Sequence, residues 1–158
     1  MLTLAILALV TLLYSGYNLF IKISGEHIPA QATTTILATL ALQASAMLVS
    51  LVFVVTLSVR GGHHFALSGK AYVWAIVAGL CIGAAEIGYF YLFGGSSING
   101  IRALPANVVI PTVVGGTVAL TLAASVWFLR EPVFWNHWLG ALLIIAGVLL
   151  IFVRSGTT

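Results

Sequence analysis

Apolar residues fill this chain in long blocks, and charged residues mark where the blocks stop. Residues 2–22 carry no charge before Lys22, residues 33–59 stop short of Arg60, and residues 71–94 hold a single charge, Glu86. Two further blocks, 104–129 and 135–153, lie between Arg102 and Arg130 and between Glu131 and Arg154. A helix needs about 20 apolar residues to cross the hydrocarbon core, so each block predicts one transmembrane helix. The blocks are too long, and alternate too little, for the strands of a membrane barrel. The predicted architecture is an all-α membrane protein, a five-transmembrane-helix bundle forming a single domain over residues 1–158.

Turn-forming residues gather between the blocks: Ser24, Gly25 and Pro29, then Gly61, Gly62, Ser68 and Gly69, then Gly95, Ser96, Ser97, Asn99 and Gly100. Pro105 suits the first turn of the fourth helix, where a missing N–H is harmless. The first block lacks the basic stretch that opens a signal peptide and is too long for a signal-peptide core, so it is read as a retained helix.

Composition narrows the class. The chain is 61% apolar and only 6% charged, with six Lys and Arg and three Glu. A soluble domain carries about 25% charged residues, and nine charges cannot cover a water-soluble particle of 158 residues. Disorder is excluded on the same ground. One cysteine, Cys81, excludes a disulfide-stapled scaffold. The net charge of +3 comes from isolated basic residues, which is no nucleic-acid footprint.

Five helices place the termini on opposite faces, and Lys and Arg then set the orientation. One face holds Arg60, Lys70 and Arg130, and the other Lys22, Arg102 and Arg154, three against three. Two readings are open: one strategic charge or a partner fixes a single orientation, or the chain inserts both ways and pairs head-to-tail with itself. Trp74, Trp127, Trp135 and Trp138 fall near one face, and Tyr14, Tyr17, Tyr89 and Tyr91 toward the other, as rings anchored at the headgroups do.

Glu86 carries the most chemical information. It lies about 5 Å from the midplane at 1.5 Å of rise per residue. An acid at that depth is costly in lipid and by default marks a functional site. At helical spacing Gly79 and Gly83 share its face, a G-x-x-x-G pair that admits a second helix. No basic side chain within the spans can neutralise it, so it is protonated, hydrogen-bonded to neutral donors, or paired with a cationic ligand. It is expected to bind substrate and proton in competition; the structural alternative is a permanently protonated hydrogen-bond donor between helices.

Other spans offer polar stripes. Thr11, Tyr14 and Asn18 align on the first helix, with Tyr17 beside them, and Thr39, Gln43, Met47 and Ser50 on the second. Asn107 sits one turn before Pro111 on the fourth. Such residues either glue helices together or contact a ligand; Tyr14, Asn18, Asn107 and Gln43 join Glu86 as candidate substrate contacts. Pro111 removes a helical hydrogen bond from the carbonyl of Asn107, and Gly115 and Gly116 follow, so a bend is expected there. It serves either packing or a site. Gly115, Ala119 and Ala123 on the fourth helix, and Gly140 and Gly147 on the fifth, read as close-packing faces. His63 and His64 are adjacent but have no Cys or carboxylate cluster beside them, so no metal is expected. The chain contains no Asp, hence no Ser-His-Asp triad, and no nucleotide-binding signature. Neither an enzyme nor a cofactor is expected. An intramembrane enzyme acting on lipid-linked substrates would leave Glu86 without a catalytic partner.

The second half has a recognisable order. A glycine-rich helix ends in aromatics, "GLCIGAAEIGYFYLF", then comes a helix with an internal proline, "NVVIPTVVGGTVALTLAASVWFLREP", and a closing glycine helix, "WLGALLIIAGVLLIF". This resembles the EamA-type domain of the drug/metabolite transporter superfamily, with its proline at Pro111, its helix-end acid at Glu131 and its Gly-x6-Gly pattern at Gly140 and Gly147. The start, "YSGYNLFIKIS", also looks like that family's first helix. The resemblance covers nearly the whole chain. It implies export or exchange of small metabolites by alternating access, in a bacterial-type cytoplasmic (inner) membrane. Most members carry two inverted five-helix repeats; this chain carries one, so an antiparallel homodimer, or a heterodimer with a related five-helix chain, is implied. The role of Glu86 rests on its burial and is not carried over from the family. The expected function is a proton-coupled secondary transporter for a small cationic or amine-bearing metabolite, in contact with membrane lipid. The alternative is a non-transporting accessory subunit that needs a different membrane partner.

Overall fold

The computed structural model describes residues 1–29, 32–95 and 100–155. Its helices are α1 (Leu2–Glu26), α2 (Ala32–Arg60), α3 (Gly69–Gly94), α4 (Ala106–Ala124), which runs on into a π-helical turn (Ser125–Leu129), and α5 (Trp135–Ser155). Among the described residues, four helical stretches are long and apolar enough to cross a bilayer: Leu2–Glu26, Thr35–Arg60, Gly69–Gly94 and Ala106–Leu129. A shorter apolar helix spans Trp135–Ile151. The chain is thus a multi-pass helical membrane protein by length and composition. Helices satisfy all their own backbone groups, which is why they are the local solution for such blocks in lipid. The predicted turn residues Ser96, Ser97 and Asn99 lie outside the described residues, as does the side chain of Arg154.

Helix ends follow local chemistry. α1 does not stop at Lys22 but runs one turn further, to Glu26. Lys22 Nζ meets Glu26 at 3.2 Å, an i, i+4 pair that stabilises the added turn, and it stands 5.7 Å from the centre of the Phe93 ring. Ser68 caps α3 by accepting from the Ala71 N–H at 3.3 Å. Gly95, at φ 70°, closes α3, and a β-carbon there would press on the backbone of Ile101 and Ala103 at 3.0 Å. Pro105 stands one residue outside α4, in extended backbone. The π-helical turn ends in Arg130 at φ 55°, a left-handed conformation unusual for a residue with a β-carbon. Pro132 then prevents the helix from continuing. Glu131 is exposed just past this helix terminus, and its backbone N–H donates to the Ser125 carbonyl at 3.2 Å.

The chain divides into two compact units, Met1–Ala103 and Leu104–Thr158. In the first, α3 packs against both α1 and α2. The core lies at one end only: Asn18, Ile21 and Gly25 of α1, Thr35 and Thr39 of α2, and Glu86, Tyr89, Phe90 and Phe93 of α3 are buried. Toward the other end, α1 before Gly16, α2 from Ala44 to Thr56 and α3 from Tyr72 to Ile82 are exposed along their length. The close approach depends on Gly25. A β-carbon there would stand 2.8 Å from Phe93 Cβ and 3.3 Å from the backbone nitrogen of Gly94. Small residues let helix backbones meet in this way.

The second unit pairs α4 with α5. Gly115 is the tight point: a β-carbon would lie 2.8 Å from Val148 Cγ2 and 2.9 Å from Ile144 Cγ2. Pro111 sits half-buried inside α4. The α5 face that meets Gly115 carries Ile144 and Val148, with buried Ala141 a turn earlier. Gly140 and Gly147, expected to form that face, have nothing within 4 Å of a β-carbon. They are rotated off the contact because apolar β-branched side chains fill the gap left by Gly115.

Candidate functional site

Glu86 is 3% exposed, and its carboxyl is fixed by the first helix rather than by its own. The Tyr17 hydroxyl donates a hydrogen bond to Glu86 Oε1. Glu86 Oε2 is buried and accepts none among the described residues. One helical turn along α3, Tyr89 donates from its hydroxyl to Asn18 Oδ1 at 2.9 Å. Asn18 in turn donates from Nδ2 to the Tyr14 carbonyl at 2.9 Å. Consecutive residues of α1 thus hold residues three apart on α3, which fixes the rotation of one helix against the other. Tyr17 and Tyr89, expected as headgroup anchors, point into this network because a buried carboxyl and amide offer their hydroxyls better partners than lipid does. All four tryptophans are exposed.

The remaining candidates separate. Tyr14 is 62% exposed and contributes its carbonyl to Asn18, while its ring meets the Tyr17 ring edge-on at 6.1 Å. Gln43 on α2 keeps its Nε2 buried, without a hydrogen-bond partner among the described residues. Asn107 is exposed and belongs to the second compact unit. Gly79 and Gly83 share the length of α3 below Glu86, but among the described residues no atom of another helix comes within 4 Å of a β-carbon at either. Among the described residues the close approach is made at Gly25, read only as a turn signal. The hydroxyls of the polar stripes turn back on their own helices: Thr11 to Leu7, Thr39 to Thr35, and Ser50 to Ala46. A hydroxyl satisfied four residues back has little left to offer a neighbouring helix.

Beside the network lies a groove of about 390 Å³ between α1 and α2, floored by Phe90. Phe20, Ile21, Ala38, Ala41 and Leu42 make it apolar, and Tyr17, Ser24 and Ser45 supply its polar atoms. Its size falls within the range of small-molecule sites, about 300–1,000 Å³. Glu86 is not part of its wall; Tyr17 is. Tyr17 is the residue of this network that sequence reading underrates. A tyrosine in a span is common, and only its pairing with a lone acid on another helix gives it a role.

Lys22, the cation nearest this network along α1, is engaged by Glu26 and the Phe93 ring. Among the described residues, Glu86 Oε2 and Gln43 Nε2 are buried without hydrogen-bond partners, unused hydrogen-bonding capacity inside a membrane-spanning unit. Among the described residues no three His, Cys, Asp or Glu gather as a metal site would need. No protein-family model, curated protein or solved structure matches the chain.

Proposed function

We propose that this chain is one five-helix repeat of an EamA-like secondary transporter, working by alternating access as an antiparallel dimer in an inner membrane. Its cargo is a small cationic or amine-bearing metabolite, exported or exchanged for protons, and it performs no covalent chemistry. The observation that carries this reading is Glu86: an acid deep in a span, held at one oxygen by Tyr17, with the other oxygen buried and without a partner among the described residues. A buried polar atom without a partner is rare enough to call for an explanation, and a ligand that arrives and leaves is one. Intramembrane acids of this kind mark ion and substrate paths. The open face at Gly79 and Gly83 supports a partner, since a glycine pair gains nothing from lipid alone. The equal division of Lys and Arg supports a partner of opposite orientation.

Purified protein in liposomes, with an imposed pH gradient and a panel of amines and amino acids, tests the reading. Gradient-driven flux of an amine by this chain alone is the expected result. No flux alone, with co-purification of a second membrane partner, would favour the accessory-subunit reading. Orientation is checked separately with a His64→Cys probe in the exposed loop between α2 and α3, in a Cys81→Ser background. A membrane-impermeant thiol reagent is expected to label the probe from both sides. Labelling from one side only would defeat the antiparallel homodimer.

A further inference from the structure

One side chain joins the groove to the acid. Tyr17 forms part of the groove wall, and its hydroxyl is on Glu86 Oε1. Glu86 is 3% exposed and takes no part in that wall. A guest lying in the groove therefore meets the Tyr17 ring before it meets the carboxyl. We infer that Tyr17 is the shutter of the site: its ring closes Glu86 off from the α1–α2 groove, and its hydroxyl occupies one of the two carboxyl oxygens that an incoming donor would meet.

The inference rests on the reading of Glu86 as a group that a guest must reach. Its own support is geometric. Tyr17 can leave without unfastening the two helices, because other contacts hold them. The Asn18–Tyr89 hydrogen bond is satisfied at both ends, and the Gly25–Phe93 approach lies two turns further on. The Tyr17 ring meets the Tyr14 ring edge-on, and Tyr14 is exposed and can yield. The arriving head group then replaces one hydroxyl donor on Oε1 by another donor, and Oε2 offers a second acceptor that none of the described residues uses. This favours guests with at least two N–H or O–H donors on one atom or on adjacent atoms, carried on an apolar body that matches Phe20, Leu42 and Phe90. A primary ammonium meets that description, and a head group with no N–H or O–H does not.

The test reads access to the carboxyl directly. Full-length protein in detergent micelles is treated with the apolar reagent dicyclohexylcarbodiimide, and modification at Glu86 is followed by peptide mass spectrometry. Wild-type protein is expected to react slowly. Tyr17→Phe, which keeps the ring and loses the hydroxyl, is expected to react several-fold faster, and Tyr17→Ala about 10-fold faster or more, the scale set by losing one hydrogen bond. Tyr72→Phe, an exposed phenol at the far end of α3, is expected to match wild type. Equal rates in wild type, Tyr17→Phe and Tyr17→Ala would overturn the shutter. If Tyr17→Ala fails to fold, Tyr17→Phe alone decides. Labelling does not depend on transport, so the two claims fail separately. Faster labelling without flux in liposomes keeps the shutter and removes the transporter. Flux with labelling indifferent to Tyr17 does the reverse.

Discussion

Glu86→Gln is expected to abolish the pH dependence of amine flux and to cut the flux itself by about 10- to 150-fold, while the protein remains folded. The magnitude follows from losing a hydrogen bond to a charged group, roughly 1.5–3 kcal/mol, at the step where the guest is held. An amide has no proton to trade in the accessible pH range, so the coupling is lost altogether. Folding survives because the Gln side chain still offers an oxygen to the Tyr17 hydroxyl, and that hydrogen bond is one of the ties between α1 and α3. The measurement is the initial rate of gradient-driven uptake in liposomes across a pH series. A variant with wild-type flux and an unchanged pH profile would leave Glu86 as a static tie between helices. Glu86→Leu makes the complementary case: it strands the Tyr17 hydroxyl and is expected to destabilise the protein by about 1–3 kcal/mol.

The second large effect is structural. Gly25→Leu is expected to pry α1 from α3, because the added β-carbon would sit 2.8 Å from Phe93 Cβ and 3.3 Å from the Gly94 nitrogen. Backbone cannot yield as a flexible side-chain tip does. Overpacking of this kind costs about 1–3 kcal/mol. The shift would also lengthen the Asn18–Tyr89 and Tyr17–Glu86 hydrogen bonds, which lie on the same helix pair. Unfolding of the detergent-solubilised protein by SDS titration checks it, with Gly83→Leu as the comparison. Nothing stands within 4 Å of a β-carbon at Gly83, so that variant is expected within about 0.5 kcal/mol of wild type. On the dimer reading it weakens self-association instead, as read by cross-linking. A Gly25→Leu protein as stable as wild type would mean that the α1–α3 crossing is not where the unit is held.

These two positions also show what can be read from the chain before its structure. Glu86 stands out because a single acid in an uncharged block has no ordinary reason to be there, and the structure buries it. The helices are legible for a similar reason: apolar blocks of this length can satisfy their backbones in lipid only as helices. The exact ends are less legible. Lys22 looks like a terminus, yet the helix passes it, because its charge is met by Glu26 one turn on. Glycines mislead more seriously. The pair Gly79 and Gly83 has the spacing of a helix contact, but spacing on one helix does not say whether another arrives, and none does among the described residues. Gly25, beside Glu26 and Pro29, looks like part of a turn and is instead the closest crossing. Gly140 and Gly147 miss the α4 contact by one residue of rotation, which periodicity alone cannot resolve. The polar stripes overstate interhelical contact because Ser and Thr hydroxyls are satisfied by their own helices, a local option invisible in a pattern of polar positions. Tyr17 is hidden for the opposite reason: its partner is 69 residues away.

Proton release on substrate binding is the most direct test of the central claim that guest and proton take turns at Glu86. Wild-type protein in weakly buffered detergent solution is titrated with each amine while a pH indicator records the bulk. The account predicts that at least one amine drives protons into solution, with the release saturating alongside binding and vanishing in Glu86→Gln. Binding of an amine with no release, or with the same release from Glu86→Gln, would contradict it.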